Sequence, residues 1–251
     1  MYAYSLSMLR AQPLRTVLSV GGIALCVVLM MFLLGVYRGV STGSLAYIHR
    51  NRADLWVLQS NATNILRCTS VLLPAHAEAL RKVPGVAAIA PVLLLLATVG
   101  DRGEVATVYL AGYDPAAGRG GPPGLVAGRA PSADDEIVLD RSFALKHGYE
   151  VGDSVRLQQH VLKLVGVSSG TNAFVVQYAF VTLACAQRLI GFPGLATCYL
   201  VTQDPGAPPG IAGAIKRALP TVEVYDQATF VANNTRELEA GFLTFIYTIA
   251  A

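Results

Sequence analysis

The chain has 251 residues, 53% of them hydrophobic and only 14% charged, with a net charge of +3 and a mean hydropathy of +0.50; soluble domains carry about a quarter charged residues, so this balance leans towards a membrane. Residues 1–37 hold two of the 19 basic side chains, Arg10 and Arg15, and no acid. The remainder sets the other 17 against all 16 acids, without the basic run or stripe that marks a nucleic-acid binder.

Residues 16–37, TVLSVGGIALCVVLMMFLLGVY, contain no charged side chain. As a helix they would be roughly 33 Å long at about 1.5 Å per residue, enough to cross a bilayer core of about 30 Å with some tilt. Arg10 and Arg15 flank the run before, Arg38 flanks it after, and Tyr37 stands where interfacial aromatics collect. A secretory leader has a shorter apolar core of about 7–15 residues. A helix half-buried in a soluble domain would show a polar face, which this run lacks. Arg10 and Arg15 favour a cytoplasmic N-terminus by the positive-inside rule, against Arg38, Arg50 and Arg52 on the other side. Gly21, Gly22, Cys26 and Gly35 are small residues within the run. Gly22 and Cys26, four apart, share a helix face that would let a second spanning helix approach closely. The general frequency of glycine in spanning helices explains them equally well.

Residues 38–239 form a domain outside the membrane. Residues 44–52 extend the first helix as a short stalk, and DLWVLQ at 54–59 reads as a strand. A helix over 74–82 opens on Pro74 and stops at Pro84-Gly85. Residues 86–100 are uncharged but too short to span and are interrupted by Pro91. With residues 104–113 across the turn Asp101-Arg102-Gly103 they make a hairpin of two strands buried in a core. The Gly- and Pro-rich stretch 114–129 reads as a loop. Asp140 caps a helix over 141–147 that Gly148 ends. Residues 154–169 form a strand pair turning at 158–160. There follow a strand at 178–182, a helix at 183–190 ending at Gly191, a strand at 198–202, a helix at 209–219 stopped by Pro220, and a strand at 222–225. Asp226 caps a polar helix over 226–239. Hairpin-linked strands among helices predict an α+β fold with mixed sheets, not a doubly wound parallel one. Residues 240–251, AGFLTFIYTIAA, are again uncharged. Twelve residues cannot span a bilayer as a helix; fed by the polar helix before them, they read as the start of a second transmembrane helix, cut short. The competing reading is a buried last helix of the domain.

Motifs for catalysis are missing. There is no phosphate-cradling G-x-x-x-x-G-K-[ST], no G-x-S-x-G and no H-E-x-x-H. His49, His76, His147 and His160 are scattered. Asp134-Asp135-Glu136 reads as a solvated turn before a strand at 137–139, since hard-cation sites draw on more oxygens at loop spacing. Cys26, Cys68, Cys185 and Cys198 lack zinc-site spacing; Cys185 and Cys198 either pair in an oxidising space or stay buried thiols. Asn61-Ala62-Thr63 matches a glycosylation acceptor by a pattern common by chance. No catalytic residue, metal or cofactor is expected.

These pieces resemble the MacB/FtsX-type ABC permease family. LRAQPLRTVLSVGGIAL resembles the family's entry into its first span. VPGVAAIAPV, LVAGRAPSADDEIVLDRSFALKHGYEVGDSVRL and LKLVGV resemble its MacB-like periplasmic core, and RADLWVLQS resembles the DevC-like exporter permeases. The resemblance implies a four-span permease in the cell inner membrane, working as a dimer with a second permease copy and a separate ABC ATPase subunit, its external domain meeting a periplasmic adaptor protein. It divides the chain into a cytoplasmic segment 1–15, transmembrane helix 16–37, periplasmic core 38–239 and the start of a second span at 240–251, with Arg10 and Arg15 on the ATPase side. The later spans are not in this sequence. A single-pass anchored binding module without transport activity is the alternative.

Overall fold

The computed structural model describes residues 13–66, 69–101, 104–171 and 177–250. The chain divides into two units, Met1–Val40 and Ser41–Ala251. The first helix, α1 (Pro13–Arg50), carries the uncharged run. In the first unit its apolar side chains stand free: Leu14 is 74% exposed, Ile23 67% and Phe32 64%. Such a surface is stable only against lipid or other apolar helices. In the second unit the last turns of α1 change character, and Leu45, Tyr47 and Ile48 are buried.

The second unit is built on one ten-stranded mixed sheet. Its strands are β1 (Leu55–Gln59), β2 (Val86–Asp101), β3 (Glu104–Tyr113), β4 (Leu125–Gly128), β5 (Glu136–Asp140), β6 (Ser154–Leu157), β7 (His160–Ser168), β8 (Gln177–Thr182), β9 (Cys198–Gln203) and β10 (Val222–Asp226). The helices are α2 (Pro74–Arg81), α3 (Arg141–His147), α4 (Leu183–Ile190), α5 (Ile211–Ala218) and α6 (Gln227–Ala250). The strand order is β10-β1-β9-β2-β3-β8-β5-β7-β4. β3 and β8 run parallel, as do β5 and β7. β6 pairs with β7 and also reaches β2 through Val99 and Leu157, so β2, β3, β8, β5, β7 and β6 close into a ring.

Side chains alternate between faces along each strand, and the alternation sorts the core into three clusters. Trp56, Val92, Leu94, Val138, Tyr178, Phe180, Cys198 and Leu200 point to the face covered by the end of α1 and by Phe230 of α6. Leu93, Ala97, Val108, Leu110, Ile137, Leu139, Ala179 and Val181 point the other way, into the ring and onto α3 and α4. Leu55, Val57, Tyr199 and Val201 pack with α2, α5 and β10. Local signals set the helix ends. Asp140 accepts from the Ser142 N–H to start α3, and Gly148 ends it in the left-handed conformation. Thr182 and Gly191 do the same for α4.

Several expectations need correction. The stretch 114–129 is not all loop: it holds a 3-10 turn at Pro115–Ala117 and the strand β4. β4 is only four residues long and pairs with β7 as a sheet edge, so nothing local announced it. The β2–β3 hairpin keeps its register from Val92↔Tyr113 to Asp101↔Glu104, but only one face of its outer half is buried; Leu96 is 62% exposed and Val105 77%. The middle of its turn lies outside the described residues. Cys185 and Cys198 are free, because they belong to clusters on opposite faces of the sheet. Cys68 lies outside the described residues.

Candidate functional site

Of the residues that the sequence singles out, Arg15, Gly21, Gly22, Cys26 and Gly35 all lie on α1, and Arg10 lies outside the described residues. A Cβ added to Gly21, Gly22 or Gly35 would meet nothing within 4 Å, and Cys26 is exposed. Within the first unit, these small residues lie open.

In the second unit several side chains that could carry chemistry are tied down by structural partners. Asp134 and Asp135 form the accessible turn the sequence suggests, but Glu136 departs from it as the buried first residue of β5. Glu136 receives the Arg129 guanidinium across both oxygens, with Nη1 donating to Oε2 at 2.7 Å. The same carboxylate accepts the Ser132 N–H at 2.8 Å and the Ala133 N–H at 3.2 Å. Its hydrogen bonds, above all that from Arg129, hold its pKa down at about 2. Asp134 accepts the Thr182 hydroxyl and, at 2.8 Å, the Arg188 guanidinium. What turns Arg129 back over this loop is a close crossing of backbones. Gly128 has φ +70°, and a Cβ there would lie 2.1 Å from the Val165 carbonyl oxygen; one on the facing Gly166 would lie 2.3 Å from that of Arg129. The only local sequence signal was a Gly-Arg seven residues before a Glu.

Buried groups are pushed away from reactivity. Burial raises the thiols of Cys185 to about 11 and Cys198 to about 12, whereas a reactive thiol needs the opposite shift. It likewise raises the phenols of Tyr47, Tyr109 and Tyr178, and that of Tyr113 to about 12. His76 Nδ1 lies 3.0 Å from the Leu73 N–H and 3.2 Å from the Leu73 carbonyl oxygen, and Nε2 faces Thr221 Oγ1 at 3.3 Å. His147 rests on the ring of Phe143, with centroids 4.5 Å apart. Among the described residues no three His, Cys, Asp or Glu side chains come together as a metal site. The open clefts among the described residues include one of about 560 Å³ beside Asn61, His76 and Thr221 and another of about 270 Å³ beside Glu78, Arg81 and Tyr199. The first holds the His76–Thr221 contact just described, and the second is lined by neither histidine nor cysteine.

The molecule is thus a mixed α/β domain attached to an apolar helix long enough to cross a membrane, the one such helix among the described residues. Over residues 16–218 the chain matches the MacB-like periplasmic core domain, and it belongs to that family. Its structure is similar to the periplasmic region of MacB from Actinobacillus actinomycetemcomitans, at 13% identity and a TM-score of 0.54 over 72% of this chain and 92% of that one. It is similar also to the extracellular domain of the noncanonic ABC-type transporter YknZ from Gram-positive bacteria, at 14% identity and a TM-score of 0.51 over 69% and 99% of the two chains. At these identities the likeness is one of fold. No curated protein sequence matches the chain.

Proposed function

We propose that the chain is the front part of the permease subunit of an ABC-type exporter. The observation that carries this reading is the covalent union of an apolar helix, whose most apolar 18-residue stretch has a mean hydropathy of 2.8 and no buried residue, with a MacB-like periplasmic core domain. Residues 1–15 lie in the cytoplasm, 16–37 cross the inner membrane, 38–239 form the periplasmic domain, and 240–251 begin a second span at the end of α6. The permease acts as a dimer with a second copy, and the small residues Gly21, Gly22, Cys26 and Gly35 let another spanning helix pack closely in lipid, Gly22 and Cys26 sharing one face. A separate ATPase subunit on the side of Arg10 and Arg15 drives the membrane helices, and residues 38–239 pass the motion to a periplasmic adaptor that takes the substrate outward.

Membranes carrying the chain with a C-terminal tag test this. The chain resists carbonate extraction, external protease removes the domain while the tag stays protected, and an ABC ATPase subunit co-purifies in detergent with the complete permease. A digestible C-terminus and no ATPase would instead make the protein a single-pass anchored binding module.

A further inference from the structure

Three amide side chains sit where the chain enters and leaves the sheet domain, and together they use both of its flanking helices. Gln227 is the first residue of α6. Its Oε1 accepts the indole N–H of Trp56 on β1 at 2.7 Å and the backbone N–H of Ala53 at 3.4 Å. Its Nε2 donates at 3.0 Å to the carbonyl of Ile48, one of the last-turn carbonyls of α1 that have no partner within their own helix. A single side chain of α6 thus closes the end of α1 and orients the tryptophan of the strand that follows it. The Trp56 ring stacks on Phe230, one turn further along α6, with centroids 4.4 Å apart.

Two further amides fasten the same region to the sheet domain. Asn51, just past the end of α1, accepts the Gly120 N–H at 2.8 Å and donates to the Gly121 carbonyl at 3.0 Å and to Tyr47 O at 3.1 Å. The Tyr47 hydroxyl donates to Gly120 O at 2.8 Å. On α6, Asn234 is fully buried and accepts the Ile65 N–H at 3.1 Å. Buried amides this fully paired hold one geometry, because any displacement strands several polar groups at once.

We propose that Gln227 is the joint that makes the end of α1 and the start of α6 one rigid body with the sheet. Without it, the end of α1 and the start of α6 are fastened to the sheet separately, the one through Asn51 and Tyr47 and the other through Asn234 and Phe230, and lose their direct bridge. With it, the end of α1, the start of α6 and the sheet move together. The consequence for export rests on the permease reading above; the joint itself lies wholly within the second unit and is measurable apart from it.

The test uses the full chain in detergent, with Cys26 and Cys68 replaced by serine and nitroxide labels on Arg50→Cys and Arg236→Cys, both at exposed positions. Double electron–electron resonance reads the width of the inter-label distance distribution. The parent chain gives one narrow distance. Gln227→Met, of similar volume but unable to bridge, widens it at least twofold. Phe230→Leu loosens the packing under Trp56, lowers the melting temperature at least as much as Gln227→Met, and leaves the width unchanged. A width unaltered by Gln227→Met, or widened equally by Phe230→Leu, overturns the proposal. Gln227→Glu keeps an acceptor for both bonds and turns the donor to Ile48 into an oxygen that repels its carbonyl, so it serves if Gln227→Met does not fold; it too must widen the distribution for the proposal to stand. Membrane extraction and ATPase co-purification do not depend on this distance, so the joint and the permease reading fail separately.

Discussion

Replacing Glu136 with glutamine should destabilise the second unit in a pH-dependent way. The carboxylate accepts two Arg129 nitrogens and the N–H groups of Ser132 and Ala133, and its pKa falls from an ordinary 4.5 to about 2. Each pH decade between those values is worth about 1.4 kcal/mol, which sets a ceiling of roughly 3 kcal/mol. Arg129 is 55% exposed, and water and salt screen a pair so placed. The expected loss in Glu136→Gln at pH 7 is therefore about 1–2 kcal/mol. The folded pKa lies below the unfolded one, so the carboxylate's contribution is complete above pH 4.5 and disappears as the pH falls through about 2. Urea unfolding of both proteins in the same detergent, across that range, measures the difference. Other acids titrate alike in the two chains and cancel. Wild type and variant should converge at the acid end. A gap that stays constant with pH, or one absent at pH 7, would refute the claim that ionic hydrogen bonding at Glu136 holds this loop.

Other outcomes follow from the same geometry. Gly128→Ala should cost about 3 kcal/mol or more in urea unfolding, since a side chain in the left-handed region would also strike the Val165 carbonyl; a small loss would mean that β4 does not cross so close to β7. Tyr47→Phe should cost about 1 kcal/mol by removing the bond to Gly120 O. Tyr178→Phe should be neutral or stabilising, because the buried Tyr178 hydroxyl has no hydrogen-bond partner among the described residues; parallel thermal melts compare the two, and equal losses would contradict the assignment. Cys185 and Cys198 should resist maleimide at pH 8 in the folded chain and react on unfolding, given thiols raised to about 11 and about 12; mass spectrometry of trapped peptides checks both, and a disulfide between them would contradict their placement on opposite faces.

What the residues alone determined was local. An uncharged run of spanning length, Asp140 and Gly148 bracketing α3, Gly191 ending α4, and alternating apolar strands each follow from interactions within a few neighbouring residues, so helices and strands could be placed from order alone. The resemblance to the MacB core rested on the same short stretches, and the family match agrees with it. What only the tertiary structure decided were the long-range partnerships. β4 exists because β7 pairs with it. Glu136 is an ion-paired clamp because a close glycine crossing returns Arg129 to it. Cys185 and Cys198 lie apart because Cys185 rides on α4, which covers one face of the sheet, while Cys198 of β9 points to the other. Gln227 reads in sequence as an ordinary residue of a polar helix, and its bonds to Ile48 and Trp56 span some 170 residues or more. Local propensity depends on nearest neighbours along the chain, whereas pairing and burial depend on which distant segments fold together.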